Sequence, residues 1–119
     1  MGYVGDRLRS FGHAFRGIGI LLREQPHAAL HALATLLVLT LGWWLQLAPG
    51  DWQILLLTIA LVWLAEAMNT ALEYLCDAVH PQHHPLIGKA KDVAAGGVLL
   101  CALAAVLIAA LVFTPYVAG

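Results

Sequence analysis

Four polar side chains, Glu66, Asn69, Glu73 and Asp77, interrupt an otherwise apolar stretch of a 119-residue chain. At about 100° per residue they point in directions of about 0°, 300°, 340° and 20° on a helix, so all four share an arc of roughly 80°. Helix propensity asks for none of them, and a carboxylate inside a bilayer costs about 2.5–3.5 kcal/mol on insertion scales. Carboxylates crowded on one face repel unless a cation, a proton or a basic partner joins them. A hard divalent ion such as Mg²⁺ suits oxygen ligands and often bridges to phosphates. Lys89 and Lys91 follow in sequence, and Arg16 and Arg23 precede; any of these could meet an anionic substrate. An acidic face, a divalent metal and lysines beside water describe phosphoryl transfer. Asp77 alone reads as a snorkelling residue at a helix end. Glu66 and Glu73 with an amide between them do not.

The other chemistry-bearing residues are less informative. There is no P-loop and no GxGxxG turn, so a nucleotide has to be held by side chains and metal; Gly96-Gly97, inside an apolar run, reads as packing. His80, His83 and His84 do not have a known zinc spacing, and Pro81 and Pro85 constrain their loop. Contact with a nucleotide or plain solvent exposure suits them better. Cys76 and Cys101 lack CxxC spacing and read as small buried hydrophobes.

The elements that position these groups follow from composition. Hydrophobic residues make up 61% of the chain and charged residues 11%, against soluble norms of about 45–50% and about 25%. So few charges cannot coat a soluble globule, and the same figures exclude disorder. Six Lys and Arg against seven Asp and Glu leave no basic field for nucleic acid, and no such partner is expected. An all-α integral membrane protein remains.

We expect a single membrane domain over 1–119. An interfacial amphipathic helix occupies 4–24, where Leu8, Phe11, Phe15, Ile18 and Leu22 form one stripe among arginines. Those arginines are spread too widely for a cleavable signal. The spacing predicts spans at 27–48, 52–79 and 91–114, with Trp43 and Trp44 in an aromatic belt, a turn at Ala48–Asp51 and a cytoplasmic loop at 80–90. All six basic residues fall on one side if the N-terminus and the acidic face are cytoplasmic and the C-terminus is outside.

The run Glu66-Ala-Met-Asn-Thr-Ala-Leu-Glu-Tyr-Leu-Cys-Asp77 resembles the ExxN[ST]AxExxxD signature of the prokaryotic diacylglycerol kinase family, and His84-Pro-Leu-Ile-Gly-Lys-Ala-Lys-Asp-Val-Ala-Ala-Gly96 is similar to its second block. The wording of that second block looks more like the undecaprenol kinase branch. The resemblance spans about Arg7 to Phe113. It implies a three-span homotrimer with active sites shared between subunits, using ATP and Mg²⁺ to phosphorylate the hydroxyl of a membrane lipid alcohol. Undecaprenol is the favoured acceptor and diacylglycerol the alternative.

By position, the resemblance makes Glu66 the general base, Asn69 a supporting amide, Glu73 a metal carboxylate and Asp77 an active-site acid. It makes Lys91 and Asp92 phosphate contacts, and Gln82, His83 and His84 the loop near the nucleotide. The second metal carboxylate that members often carry late in the surface helix falls at Gln25, with Glu24 one residue earlier. Ala29 stands where many members carry arginine. Two rivals stay open: a small ion- or proton-coupled transporter, for which intramembrane glutamates are common, and a non-catalytic membrane interaction subunit.

Overall fold

The computed structural model describes residues 2–119 and contains the helices α1 (Tyr3–Glu24), α2 (Ala28–Leu45), α3 (Pro49–Val79) and α4 (Pro85–Ala118). Among the described residues there is no strand. Internal contacts divide the chain into two compact units, one ending at Leu33 and one over Ala34–Gly119.

The N-terminal unit holds α1 and the start of α2. The stripe Leu8, Phe11, Phe15, Ile18 and Leu22 is exposed along its whole length, an apolar helix face that nothing in its unit shields. Arg9 pairs with Asp6 one turn earlier, and the Arg7 guanidinium stands 4.9 Å over the Tyr3 ring. At the other end Arg23 Nε donates to the Gly19 carbonyl at 3.1 Å, a cation where the helix dipole favours one. Gln25 is extended, with φ −80° and ψ 122°, as a residue before proline must be. Pro26 then occupies a turn closed by the Ala28 N–H on the Gln25 carbonyl at 3.1 Å, and α2 starts at Ala28.

The C-terminal unit holds the rest of α2 with α3 and α4, and the last two pack along each other. Its core is small: Leu47, Leu55 and Val112, flanked by Val38, Trp52 and Ile108. Leu57, Leu61 and Leu64 on α3, and Leu100, Leu103 and Leu107 on α4, are exposed. Helices α2, α3 and α4 are each long and apolar enough to cross a membrane. Hydrocarbon solvates exposed leucines, and each helix satisfies its own backbone.

Helices α3 and α4 have 31 and 34 residues, or about 46 and 51 Å, more than the roughly 30 Å of hydrocarbon. Glu73, Asp77, Lys89, Lys91 and Asp92 gather around the α3–α4 connection, while Glu66 lies deeper in α3 and Asp51 stands in its first turn. This differs from the expected loop at 80–90 and span from 91. Only His80–His84 lies outside helix, and Lys89, Lys91 and Asp92 are helical. Pro85 takes the first helical position, where its missing N–H costs nothing. Ala and Lys then sustain a helix beyond the oil without any apolar pattern.

The α2–α3 connection also departs from expectation. Pro49, Gly50 and Asp51 form the first turn of α3, not a turn between spans. The chain reverses at Gln46, whose φ is +56°. The Gln46 N–H bonds the Trp43 carbonyl and the Leu47 N–H bonds the Gly42 carbonyl, both at 3.2 Å, the Schellman pattern that closes a helix with a left-handed residue. Leu47 folds back onto Gly42, where a Cβ would meet Leu47 Cδ1 at 3.0 Å and the Trp52 ring at 2.9 Å. The end of α4 is tied to this corner: Tyr116 donates to Asp51 Oδ2 at 2.6 Å and accepts the Ala48 N–H at 2.9 Å. That tether holds the last turn of α4 past Pro115, where the expected span ended at 114.

A non-glycine residue in the left-handed region costs about 1–2 kcal/mol. Gln46→Gly is therefore expected to raise stability by about 0.5–1 kcal/mol after the glycine's own entropy cost, read as a higher midpoint of SDS-induced unfolding in mixed micelles. Tyr116→Phe strips two partners of their bond and is expected to lower that stability by about 1–3 kcal/mol.

Candidate active site

The buried face of α3 is continuous along the helix. Leu55 is 2% exposed, and Glu66 lies three turns further on, within about 20° of the same direction. Glu66 is only 3% exposed, with Asn69 and Thr70 also buried. Few side chains of any kind are buried in this chain, yet these three polar ones are. The acidic face therefore turns inward rather than toward acyl tails, and it does so most completely at its deepest carboxylate.

Asn69 orients its neighbour. Its Nδ2 donates to Glu73 Oε1 at 3.3 Å, one turn along α3. Its Oδ1 is buried and has no hydrogen-bond partner, an orphaned acceptor of a kind rarely left without a ligand or water. Glu73 is half-buried, and Asp77, one more turn along, is exposed. Burial thus falls steadily from Glu66 to Asp77, a gradient from oil to water along a single helix face.

Helix α4 supplies the opposite charge. Lys91 Nζ and Asp77 Oδ1 pair at 2.6 Å across the connection between α3 and α4. The pair is largely exposed, a setting in which an ion pair is worth about 0–1 kcal/mol, so the ammonium can exchange this carboxylate for a stronger anion at little cost. The connection itself is ordered by its histidines. His84 Nδ1 accepts the Leu86 N–H at 3.1 Å and so caps α4, leaving Nε2 as the ring nitrogen for any ligand. His80 Nδ1 bonds the Gln82 carbonyl at 2.9 Å, and the His80 and His84 rings meet edge to face with centroids 5.1 Å apart.

The structure thus brings Glu66, Asn69, Glu73, Asp77 and Lys91 onto one side of the α3–α4 pair, with His84 at its N-cap and Asp92 exposed on α4. Gln82 and His83 are exposed in the connection. Glu24 and Gln25 close α1 in the N-terminal unit. Sequence reasoning missed Thr70, which at about 40° from Glu66 stands about 20° beyond the edge of the acidic arc. It also missed the His84 cap, which the following proline signals. Among the described residues no three His, Cys, Asp or Glu side chains converge as a metal cage. Gly96 and Gly97, expected to serve packing, have open space where a Cβ would stand.

The sequence model of the prokaryotic diacylglycerol kinase family matches residues 12–113. The chain is 38% identical over 107 residues to an undecaprenol kinase of Bacillus subtilis, covering 90% of this chain and 87% of that one. It is 37% identical over 109 residues to a diacylglycerol kinase of Synechocystis, covering 91% and 62%. It is 25% identical over 100 residues to the diacylglycerol kinase of Escherichia coli, covering 84% and 82%. With most of its length matched, and with the buried acidic face lying inside the matched region, the chain belongs to the prokaryotic diacylglycerol kinase family and is a membrane lipid kinase, a phosphotransferase with an alcohol acceptor.

Proposed function

We propose that this kinase transfers the γ-phosphoryl group of ATP to the hydroxyl of undecaprenol, with Glu66 as general base and with Mg²⁺. The observation that carries the reading is the inward burial of Glu66 beside the orphaned Asn69 Oδ1, one to two turns below Glu73. A carboxylate withdrawn from water, with acceptors around it, suits the one hydrogen-bond donor that a lipid alcohol offers. The relative named undecaprenol kinase supports the acceptor, and the two named diacylglycerol kinases supply the alternative.

In the step so read, the hydroxyl proton passes to the Glu66 carboxylate as the oxygen forms a bond to the γ-phosphorus. The bond from that phosphorus to its bridging oxygen breaks, and ADP leaves with the electron pair. Lys91 exchanges Asp77 for a phosphate oxygen and offsets the charge on the transferring group. Asp92, Gln82 and His83, with the remaining nitrogen of His84, line the approach of the nucleotide.

The donor set fits Mg²⁺. Glu73 and the orphaned Asn69 amide oxygen are hard ligands, and a set of so few protein oxygens suits an ion that completes its shell with phosphate oxygens and water. When bound, the ion would neutralise the triphosphate. Glu73 would hold it, kept in orientation by the Asn69 amide. From α1, Gln25 with its amide oxygen, or the charged Glu24, is proposed as the further ligand. Assembly as a homotrimer in the bacterial inner membrane, with the N-terminus and the α3–α4 connection cytoplasmic, belongs to the same proposal. It accords with the six basic residues lying in α1 and at the start of α4.

Glu66→Gln is expected to keep the parental size in detergent and to lose at least about 10²-fold in turnover, measured as labelled phosphate appearing in lipid. Substantial turnover in that variant would remove Glu66 from the base role. Glu73→Gln is expected to raise the Mg²⁺ concentration needed for half-maximal rate about tenfold or more, a loss of about 1.4 kcal/mol. In the same titration Gln25→Ala and Glu24→Gln are compared, and the one that shifts the Mg²⁺ requirement marks the α1 ligand.

A further inference from the structure

Apart from Glu24 at its end, α1 has no place in the scheme above, yet its charges are sorted by sign around the helix axis. The exposed stripe Leu8, Phe11, Phe15, Ile18 and Leu22 lies within about 40° of its own centre line. Arg9, Arg16 and Arg23 are spaced seven residues apart and stand about 100–140° round from that line on one flank. Arg7 stands about 60° round on the other flank. Asp6 and Glu24 share one direction, about 160° from the line, so both acids sit on the side opposite the stripe. Seven residues rise about 10 Å, and the three arginines form a row about 20 Å long beside the apolar face.

Contacts within α1 leave this row available. Among the described residues Arg16 has no hydrogen-bond or ion-pair partner. Arg9 pairs with Asp6 where both side chains are more than half exposed, a setting in which an ion pair exchanges readily. Arg23 gives Nε to the Gly19 carbonyl and keeps its terminal nitrogens. The balance of charge is local as well. Helix α1 holds four arginines against two acids, whereas the rest of the chain holds two lysines against five acids. A guanidinium binds phosphate bidentately, and its long stem lets it reach past an apolar flank. An apolar face with arginines beside it and acids turned away is complementary to a bilayer that carries negative headgroups.

We propose that α1 docks on the surface of an anionic bilayer, with its stripe against the acyl chains and Arg9, Arg16 and Arg23 on the phosphates of anionic lipids, so that lipid charge sets how firmly the helix is held. This docking does not depend on which alcohol the chain phosphorylates.

The test places the full chain in nanodiscs of dioleoylphosphatidylcholine, alone or with one third dioleoylphosphatidylglycerol, and follows hydrogen exchange of the α1 amides by mass spectrometry. Both leaflets share one composition, so the orientation of the chain does not matter. Gly12, Gly17 and Gly19 make α1 a poor helix on its own, and its protection therefore reports docking. Each arginine near an anionic surface is worth about fivefold in docking, so α1 is expected to be protected about 10²-fold more in the anionic discs, with α3 unchanged. Arg16→Gln lowers that gain about fivefold, and Arg16→Lys keeps it. About 1 M salt, which cuts the screening length to about 3 Å, removes the gain from the parental protein, a measurement that stands even where a variant fails to assemble. Equal protection in neutral and anionic discs, as when a second copy covers the stripe, overturns the proposal, and so does a gain that survives glutamine at all three arginines. Protection that appears in neutral discs on adding ATP and Mg²⁺ assigns the arginines to the nucleotide and overturns it as well.

Discussion

Glu66 is buried, and a charge withdrawn from water is tolerated only where protein groups meet it. An isolated carboxylate facing acyl chains would be driven to protonate or to leave the bilayer. Here the side chain turns onto the packed face of α3, the same face that buries Leu55 three turns away. The rest of the C-terminal unit serves that constraint. Helices α3 and α4 run past the hydrocarbon at one end, so the acidic face can pass from oil to water in steps of one turn. Asn69 spends its donor on Glu73, and Lys91 meets Asp77 where the pair is already wet. Among the described residues the Asn69 oxygen is the buried side-chain atom with no hydrogen-bond partner.

The far end of the unit fixes the register of α3. A helix that rotated by one residue would carry Glu66 about 100° away from its shelter. Rotation is opposed by the Schellman closure at Gln46, by Leu47 and Trp52 closing on the bare Gly42 backbone, and by Tyr116 bridging Asp51 and the Ala48 N–H. These contacts are roughly 20 Å or more along the helix from Glu66. They contribute no chemistry, but they decide which way the carboxylate points.

The relatives that this chain resembles are named for two different acceptors, undecaprenol and diacylglycerol. Trp63 and Thr35 join α3 to α2 in the apolar part of the unit, where a hydrogen bond, once made, is not readily exchanged for water.

Sequence alone determined the membrane setting, the four helices and the acidic face, because apolar run length and a 3, 4, 4 spacing are properties of one chain segment at a time. It misplaced the α2–α3 turn, since Gln46 carries no turn signature and Pro49 is equally at home starting a helix. It read the start of α4 as loop, since a helix outside the oil needs no apolar pattern. Tertiary structure decided that the acidic face turns inward, that Lys91 reaches Asp77, that His84 caps a helix and that Trp63 finds Thr35. Each of these depends on how separate segments meet, and in a bilayer both faces of an apolar helix look alike until a neighbour covers one.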